Sequence, residues 1–96
     1  MTHINLIARI QTTADTHHVV KNLLESYAHH VREEPGNLRF ELYSAADGGD
    51  VLVIERYIDQ AAFDAHLNTP SNEAFNAALS KALDGAGSSL EMLTAI

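Results

Sequence analysis

The sequence predicts an α+β protein with a ferredoxin-like fold, a four-stranded antiparallel sheet with helices on one face. The first observation is the order of its segments, β-α-β-β-α-β, in which the second helix is divided into two pieces. The second is an Asp-Gly-Gly turn at 47–49 between two apolar strands, which is typical of a hairpin. The third is the apolar run Val51 to Ile54, which puts apolar side chains on both faces of the sheet.

Length and composition narrow the functional classes. We expect a single domain over residues 1–96, because a chain of 96 residues is the length of one domain. Thirteen Asp and Glu against six Lys and Arg give a net charge of −7, which argues against nucleic acid or an anionic membrane as a partner. The absence of cysteine excludes disulfides and thiol catalysis. We see no signal-like or membrane-spanning run, so we expect a cytoplasmic protein.

The N-terminal third predicts a strand and a helix. Alternating apolar residues over Ile4–Ile10 indicate the first strand. Thr12 and Asp15 match a helix-start pattern, and apolar residues follow at helical spacing. The helix should stop near Glu34, because Pro35-Gly36 cannot continue it.

Three further strands follow from the apolar patterns. The hairpin strands cover about Leu38–Ser44 and Val51–Ile58, on either side of the glycine turn. The apolar pattern of the segment Leu90–Ala95 predicts the last strand.

Two helices are predicted between the hairpin and the last strand. Asp59 can cap a short helix that runs through Leu67. Thr69 has the features of the next N-cap, with Pro70 at the first helical position, where a missing N–H costs nothing. Gly85 is expected to end this helix. Its apolar stripe consists of Phe75, Ala78, Leu79, Ala82 and Leu83.

The sheet has more apolar residues than one layer of helices can cover. An uncovered apolar face of this size favours a second copy of the chain packed sheet against sheet, so we expect a homodimer. The residues expected on this uncovered face are Ile7, Phe40, Leu42, Leu52 and Ile54.

The helix-covered face then carries a carboxylate. Parity places Glu55 there with Tyr43, Val53 and Tyr57. An unpaired buried carboxylate is costly, so it needs an arginine, a histidine, water or a ligand, and a pocket is expected beside it. The structural alternative is an ion pair, for which the candidates are Arg9, Arg39 and Arg56.

Several segments together resemble the antibiotic biosynthesis monooxygenase family, in particular its small bacterial quinol monooxygenases. They are E-P-G-N-L-R-F-E-L-Y (34–43), V-L-V-I-E-R-Y (51–57) and A-A-F-D-A-H-L-N-T-P (61–70). The resemblance implies a dimeric α+β barrel with a hydrophobic pocket between sheet and helices. It also implies oxidation of phenols or quinols by O2 without flavin, metal or haem, so we expect no cofactor.

The expected function is therefore a cofactor-independent monooxygenase acting on a small aromatic quinol or polyphenol. His66, in the family's A-H-L motif, and Glu55 are the candidate catalytic bases. Their structural alternatives are a helix histidine bonded to the backbone or to Glu55, and the ion pair named above. The candidate substrate-binding residues, which could equally be plain core, are Tyr43, Val53, Tyr57, Phe63 and Asn76.

Departures from the family pattern leave two other functions open. Quinone-forming relatives carry His, Asn, Trp, Tyr and Arg at five positions occupied here by Tyr43, Val53, Tyr57, Phe63 and Asn76. The loss of all five favours a non-catalytic dimer that holds a hydrophobic metabolite. An isomerase that shuttles a proton between Glu55 and His66 is the other alternative. Haem-degrading relatives carry His near 76 and Asn near 8, where this chain has Asn76 and Ala8, so haem is not expected.

Paired histidines at 17–18 and 29–30 invite a metal interpretation. Adjacent helical residues point about 100° apart, so neither pair chelates well from one helix. We therefore expect no metal site and a solvated helix face.

Overall fold

The computed structural model describes residues 2–96, within which seven elements form an α+β ferredoxin-like fold. In chain order they are β1 (Ile4–Gln11), α1 (His17–Arg32), β2 (Asn37–Ser44), β3 (Asp50–Tyr57), α2 (Gln60–Leu67), α3 (Pro70–Ala82) and β4 (Ser89–Leu93). The strands form one antiparallel sheet in the order β2-β3-β1-β4. The predicted fold class is confirmed. No helix within residues 2–96 has the length and apolar character needed to span a bilayer.

The core lies between the helices and one face of the sheet. Burial alternates strictly along β3, where Val51, Val53, Glu55 and Tyr57 are buried and their neighbours are half-buried. Residues directly opposite each other in an antiparallel pair share a face, so β1 adds its own buried row to the same side. The α1 residues packed over these rows are Val20, Leu24, Tyr27, Ala28 and Val31.

The predicted face of β2 is wrong. Phe40 pairs with Glu55, so Phe40 lies under the helices and is 4% exposed, not on the uncovered face. Leu42 likewise pairs with Val53 and packs against the core. The register of the hairpin is the cause. The last pair of the hairpin is Ser44 with Val51. The number of residues in the turn between them is even, and this register places Phe40 and Leu42 on the covered face.

Two helix starts are confirmed and one is wrong. The Asp59 carboxylate accepts from the Ala62 N–H at 2.8 Å at the start of α2, and the Thr69 hydroxyl accepts from the Asn72 N–H at 3.1 Å at the start of α3. The first long helix, however, begins at His17 rather than beside Thr12. The Thr12 hydroxyl instead donates to the Gly49 carbonyl and bonds the His17 ring, tying the end of β1 to the hairpin turn.

The C-terminal part differs from the prediction in extent. α3 ends at Ala82, and Gly85 follows with φ 93° while its N–H donates to the Ser80 carbonyl at 2.8 Å. β4 covers Ser89–Leu93, shorter than the predicted Leu90–Ala95. All residues of this edge strand are exposed.

Candidate active site

A cavity of about 80 Å³ lies between the covered face of the sheet and the helices. The buried Glu55 and His66 stand at its inner end. Exposed residues of α2, α3 and the β4 side border its mouth, and these are Leu67, Asn76, Ser88 and Leu90. The wall between is apolar and consists of Leu6, Ala8, Ile10, Leu24, Phe40, Val53, Phe63 and Phe75.

Glu55 is a carboxyl group inside this apolar layer. β3 places its side chain between Leu6 of β1 and Phe40 of β2, and the residue is 6% exposed. The Tyr57 hydroxyl donates to Glu55 Oε1 at 2.7 Å. Burial raises the pKa of Glu55, because desolvation of the charged form outweighs the support from the Tyr57 hydroxyl and from His66. The carboxyl group therefore holds its proton more tightly than a surface glutamate does.

The arginines of the sheet do not compensate Glu55. All three lie on the uncovered face, opposite in parity to Glu55. Each has its own partner there. The pairs are Arg9 with Asp50 at 3.3 Å, Arg39 with Glu41 at 2.9 Å and Arg56 with Asn5 at 2.7 Å. The structural alternative of an arginine ion pair is therefore wrong.

His66 lies at the end of α2, 4% exposed, between two acidic side chains. Its Nδ1 is 3.0 Å from both carboxylate oxygens of Glu34. Its Nε2 faces the cavity, 3.4 Å from the Tyr27 hydroxyl and 3.9 Å from Glu55 Oε1. The imidazole thus spans from the turn before β2 to the carboxyl group of β3, and its hydrogen-bond partner is Glu34 rather than Glu55.

Tyr27 places its hydroxyl at the inner end of the cavity. Its ring stacks on Phe75 with centroids 4.3 Å apart and meets Phe40 edge-on at 5.7 Å. The Asn72 side-chain amide donates to the Tyr27 oxygen at 2.8 Å. Burial raises the pKa of Tyr27 to about 12, so the hydroxyl keeps its proton at neutral pH and can donate it.

The first two turns of α3 bring amides to the same site. The Thr69 cap and Pro70 fix the start of the helix, which turns Asn72 toward Tyr27. Asn76 lies one turn later at the cavity mouth and donates to Asn72 Oδ1 at 3.1 Å. An unbroken series of hydrogen bonds therefore runs from the mouth of the cavity to its inner end.

The structure brings together most of the predicted site residues. His66 and Glu55 are adjacent, Val53 and Phe63 line the wall, and Asn76 stands at the mouth. Tyr57 is fully buried and donates to Glu55, so it supports the site and does not line the cavity.

The prediction for Tyr43 is wrong. Its partner in the sheet is Leu52, which places Tyr43 on the uncovered face, and its side chain is half exposed. The hydroxyl donates to Glu41 at 2.9 Å. The β2 register that moves Phe40 under the helices is the reason that Tyr43 leaves the site.

Four residues of the site were missed by the sequence analysis: Tyr27, Glu34, Asn72 and Phe75. Tyr27 and Phe75 fit apolar stripes of their helices, so nothing in their spacing distinguishes them from plain core. Glu34 stands in the E-P-G segment, where its position before a turn suggested only a helix end. That segment was part of the family resemblance, and it was the one signal that could have revealed Glu34.

The described residues, 2–96, contain no group of three or more His, Asp and Glu side chains placed to hold a metal ion. Glu34 and Glu55 approach opposite nitrogens of His66, so the three cannot converge on one ion.

Within the cavity lining, Glu55, His66 and Tyr27 are the titratable groups, and the lining contains no Lys or Arg. Such a site suits a neutral ligand.

Residues 3–78 match the model of a family described as Antibiotic biosynthesis monooxygenase. A Mycobacterium tuberculosis protein named "Putative monooxygenase Rv0793" is 33% identical to this chain over 67 residues. The matched region covers 70% of this chain and 66% of that protein, so it spans just under two thirds of the relative's length. The solved structure of Rv0793 superposes with a TM-score of 0.87 at 25% identity, covering 99% of this chain and 96% of that chain. A Caulobacter crescentus protein described with the same family name gives 0.86 at 26% identity, with 99% and 91% covered.

Proposed function

This chain belongs to the antibiotic biosynthesis monooxygenase family, and on that premise we propose that it oxidises a small, uncharged aromatic quinol or polyphenol with O2, without a cofactor. The observation that carries the proposal is the pair formed by His66 Nε2 and Glu55 Oε1, 3.9 Å apart at the inner end of an apolar cavity. An apolar pocket with a few convergent polar groups and a carboxyl group of raised pKa is the usual form of a proton-transfer site.

In the proposed reaction the substrate is itself the reductant. Loss of the hydroxyl proton gives an electron-rich anion that can pass an electron to O2. One oxygen atom then replaces a ring hydrogen and becomes a carbonyl oxygen. The other leaves as water with that ring hydrogen and the hydroxyl proton, so the ring supplies all four electrons. The protein needs only to bind the ring, accept the proton and stabilise charge.

The size of the cavity restricts how the ring is held. A cavity of about 150 Å³ accommodates one benzene ring, whereas this one measures about 80 Å³. We infer that the hydroxyl-bearing edge lies at Glu55 and His66 and that the remainder of the ring extends toward Leu67 and Leu90 at the mouth. The wall contributes aromatic contacts from Phe63 and from the stacked pair of Tyr27 and Phe75.

A direct test is to supply a naphthohydroquinone, measure O2 consumption and follow the fate of 18O2. We expect one labelled atom in the product and one in water, and His66→Ala should lower turnover by roughly 10²–10⁴-fold. His30→Ala, an exposed histidine of α1, is the matched control and should behave as the wild type. If His66→Ala turns over the substrate normally, His66 is not the base. Saturable binding without O2 consumption would support the non-catalytic alternative.

The same pair favours a second candidate function, an isomerase. Two proton-carrying groups 3.9 Å apart, one a carboxyl group of raised pKa, can take a proton from one carbon and return it to another. This reaction needs no O2. Product formation under strictly anaerobic conditions separates it from the oxidation.

We also propose that the protein works as a homodimer in which the uncovered faces pack together. Support comes from Ile7, Leu52 and Ile54, which are half-buried in the single chain, and from Leu93, which is 40% exposed. This apolar row is smaller than the sequence suggested, because Phe40 and Leu42 lie on the other side. Sedimentation at micromolar concentration should give a dimer, and Ile54→Glu should give a monomer. A monomeric wild type would contradict this proposal.

A further inference from the structure

We propose that Glu34 is the positioning residue of the site, holding His66 with its proton on Nδ1 so that a bare Nε2 faces the cavity as the base. This inference rests on the proposed function for its chemistry, although its structural part concerns only the ring of His66. It assigns the proton-accepting role to His66, where the sequence left the choice between His66 and Glu55 open.

The geometry at Nδ1 indicates which nitrogen carries the proton. Both oxygens of the Glu34 carboxylate lie 3.0 Å from His66 Nδ1. An ionised carboxylate only accepts hydrogen bonds, so Nδ1 must be the donor. In the neutral ring the other nitrogen then has a free lone pair.

The contacts at Nε2 agree with this tautomer. The Asn72 amide donates to the Tyr27 oxygen at 2.8 Å, so the Tyr27 proton is free to point elsewhere. His66 Nε2 lies 3.4 Å from that oxygen and is the acceptor in reach. The hydrogen bonds therefore run in one direction, from Asn76 through Asn72, Tyr27 and His66 to Glu34. The long 3.4 Å contact is weak, so a substrate hydroxyl can replace it.

The turn before β2 is built to deliver Glu34 to this place. Gly36 is buried, and a Cβ there would stand 2.3 Å from the Ala62 Cβ, so only glycine allows the turn to pack this closely against α2. The Gly36 carbonyl accepts from the Ile58 N–H at 2.9 Å, which ties the turn to the end of β3. Ala62 lies one helical turn before His66, so this contact sets the distance between Glu34 and the imidazole.

Charge decides between the two candidate bases. If Nε2 takes the substrate proton, a positive imidazolium lies between Glu34 and the new phenolate, and each negative group has an opposite charge beside it. If Glu55 takes the proton while His66 stays neutral, the phenolate has no cation next to it, because the cavity lining contains no Lys or Arg. The first arrangement avoids an uncompensated buried anion.

Nitrogen-15 NMR of the imidazole of His66 tests the structural part without any substrate. In the wild type we expect the neutral ring to carry its proton on Nδ1. In Glu34→Gln, the amide can donate to Nδ1 as well as accept from it, so the two tautomers should mix. Glu33→Gln, its exposed neighbour, is the matched control and should match the wild type. A wild-type ring protonated on Nε2, or an unchanged tautomer in Glu34→Gln, would overturn the proposal.

Tyr27→Phe separates the two sides of the ring. It removes the hydroxyl at Nε2 and leaves Glu34 in place, so the Nδ1 proton should remain. A change of tautomer in this variant would show that Tyr27, and not Glu34, sets the ring, which would also overturn the proposal.

Kinetics provide a second readout once a substrate is in hand. Glu34→Gln should lower kcat by roughly 10- to 100-fold with KM unchanged, as expected for a group that acts on the base and not on the substrate. Normal kcat in Glu34→Gln, beside impaired His66→Ala, would refute the role of Glu34 and leave the proposed function standing. Absence of any oxidation would refute the proposed function, while the NMR result would still decide the tautomer.

Discussion

Two tyrosine–glutamate pairs with the same spacing lie on opposite faces of the β2–β3 hairpin. On β3 the Tyr57 hydroxyl donates to Glu55 at 2.7 Å, and both residues are buried. On β2 the Tyr43 hydroxyl donates to Glu41 at 2.9 Å, and the pair is exposed. The local pattern, a glutamate two residues before a tyrosine, is identical.

The surroundings give the two glutamates opposite properties. A hydrogen bond from Arg39, followed by one from Tyr43, lowers the pKa of Glu41. Burial raises the pKa of Glu55, which has His66 nearby but no arginine. The carboxylate on the uncovered face is thus paired and solvated, whereas the carboxyl group on the covered face is buried beside the cavity. The face of the sheet, rather than the residue pattern, separates a carboxylate of lowered pKa from a carboxyl group of raised pKa.

The largest expected effect concerns the face assignment of β2 itself. Phe40→Ala removes a buried ring that meets Tyr27 edge-on, so it should lower the free energy of unfolding by about 3–5 kcal/mol. Leu38→Ala is the matched control on the same strand. Leu38 is 50% exposed, and its truncation should cost less than about 1 kcal/mol.

Urea unfolding at one protein concentration measures both changes. Equal losses for Phe40→Ala and Leu38→Ala would mean that Phe40 is not buried under the helices, and the contrast between the two faces would be lost.

A smaller effect is expected from the two tyrosine hydroxyls. Tyr57→Phe leaves a buried carboxyl oxygen without its donor and should destabilise the fold by about 1–3 kcal/mol. Tyr43→Phe removes the corresponding hydroxyl on the exposed pair and should change stability by less than about 0.5 kcal/mol. Thermal unfolding of the two variants side by side gives the comparison. A Tyr57→Phe protein as stable as the wild type would show that water replaces the hydroxyl at Glu55.

Features that depend on neighbouring residues were predicted well from the sequence. The order of elements, the hairpin turn and the caps at Asp59 and Thr69 all follow from local chemistry, and the structure confirms them. Glu55 under the helices also followed, because alternation along β3 is a property of that strand alone.

Features that depend on register or on distant partners could not be predicted. One residue more or fewer in the turn after Ser44 would have put Tyr43, not Phe40, under the helices, and several turn lengths fit the glycine-rich segment. α1 begins at His17 and not beside Thr12, because the Thr12 hydroxyl donates to the distant Gly49 carbonyl in the hairpin turn. Glu34 reaches His66 across 32 positions, and no local spacing encodes that contact.

The smallest expected effect, and the sharpest contrast in sign, is the pH dependence of stability. Because burial raises the pKa of Glu55, the folded protein binds that proton more tightly than the unfolded chain. Its stabilising contribution is complete below the unfolded pKa, about 4.3, and is lost as pH rises through the folded pKa. Each pKa unit between the folded and the unfolded value changes the free energy of unfolding by about 1.4 kcal/mol. Glu55→Gln should therefore gain stability relative to the wild type as pH increases from acid to neutral.

Glu41→Gln should show the opposite trend. Since Arg39 and Tyr43 lower the pKa of Glu41, its contribution is present above the unfolded pKa and is lost as pH falls through the folded pKa. This variant should be slightly less stable than the wild type at neutral pH and equal to it in acid. Calorimetric melting of both variants and the wild type at pH 4 to 8 measures the differences, in which titrating groups remote from the mutated residue cancel. If the two variants change in the same direction, the covered face does not desolvate Glu55, and the main reason for placing the chemistry there is removed.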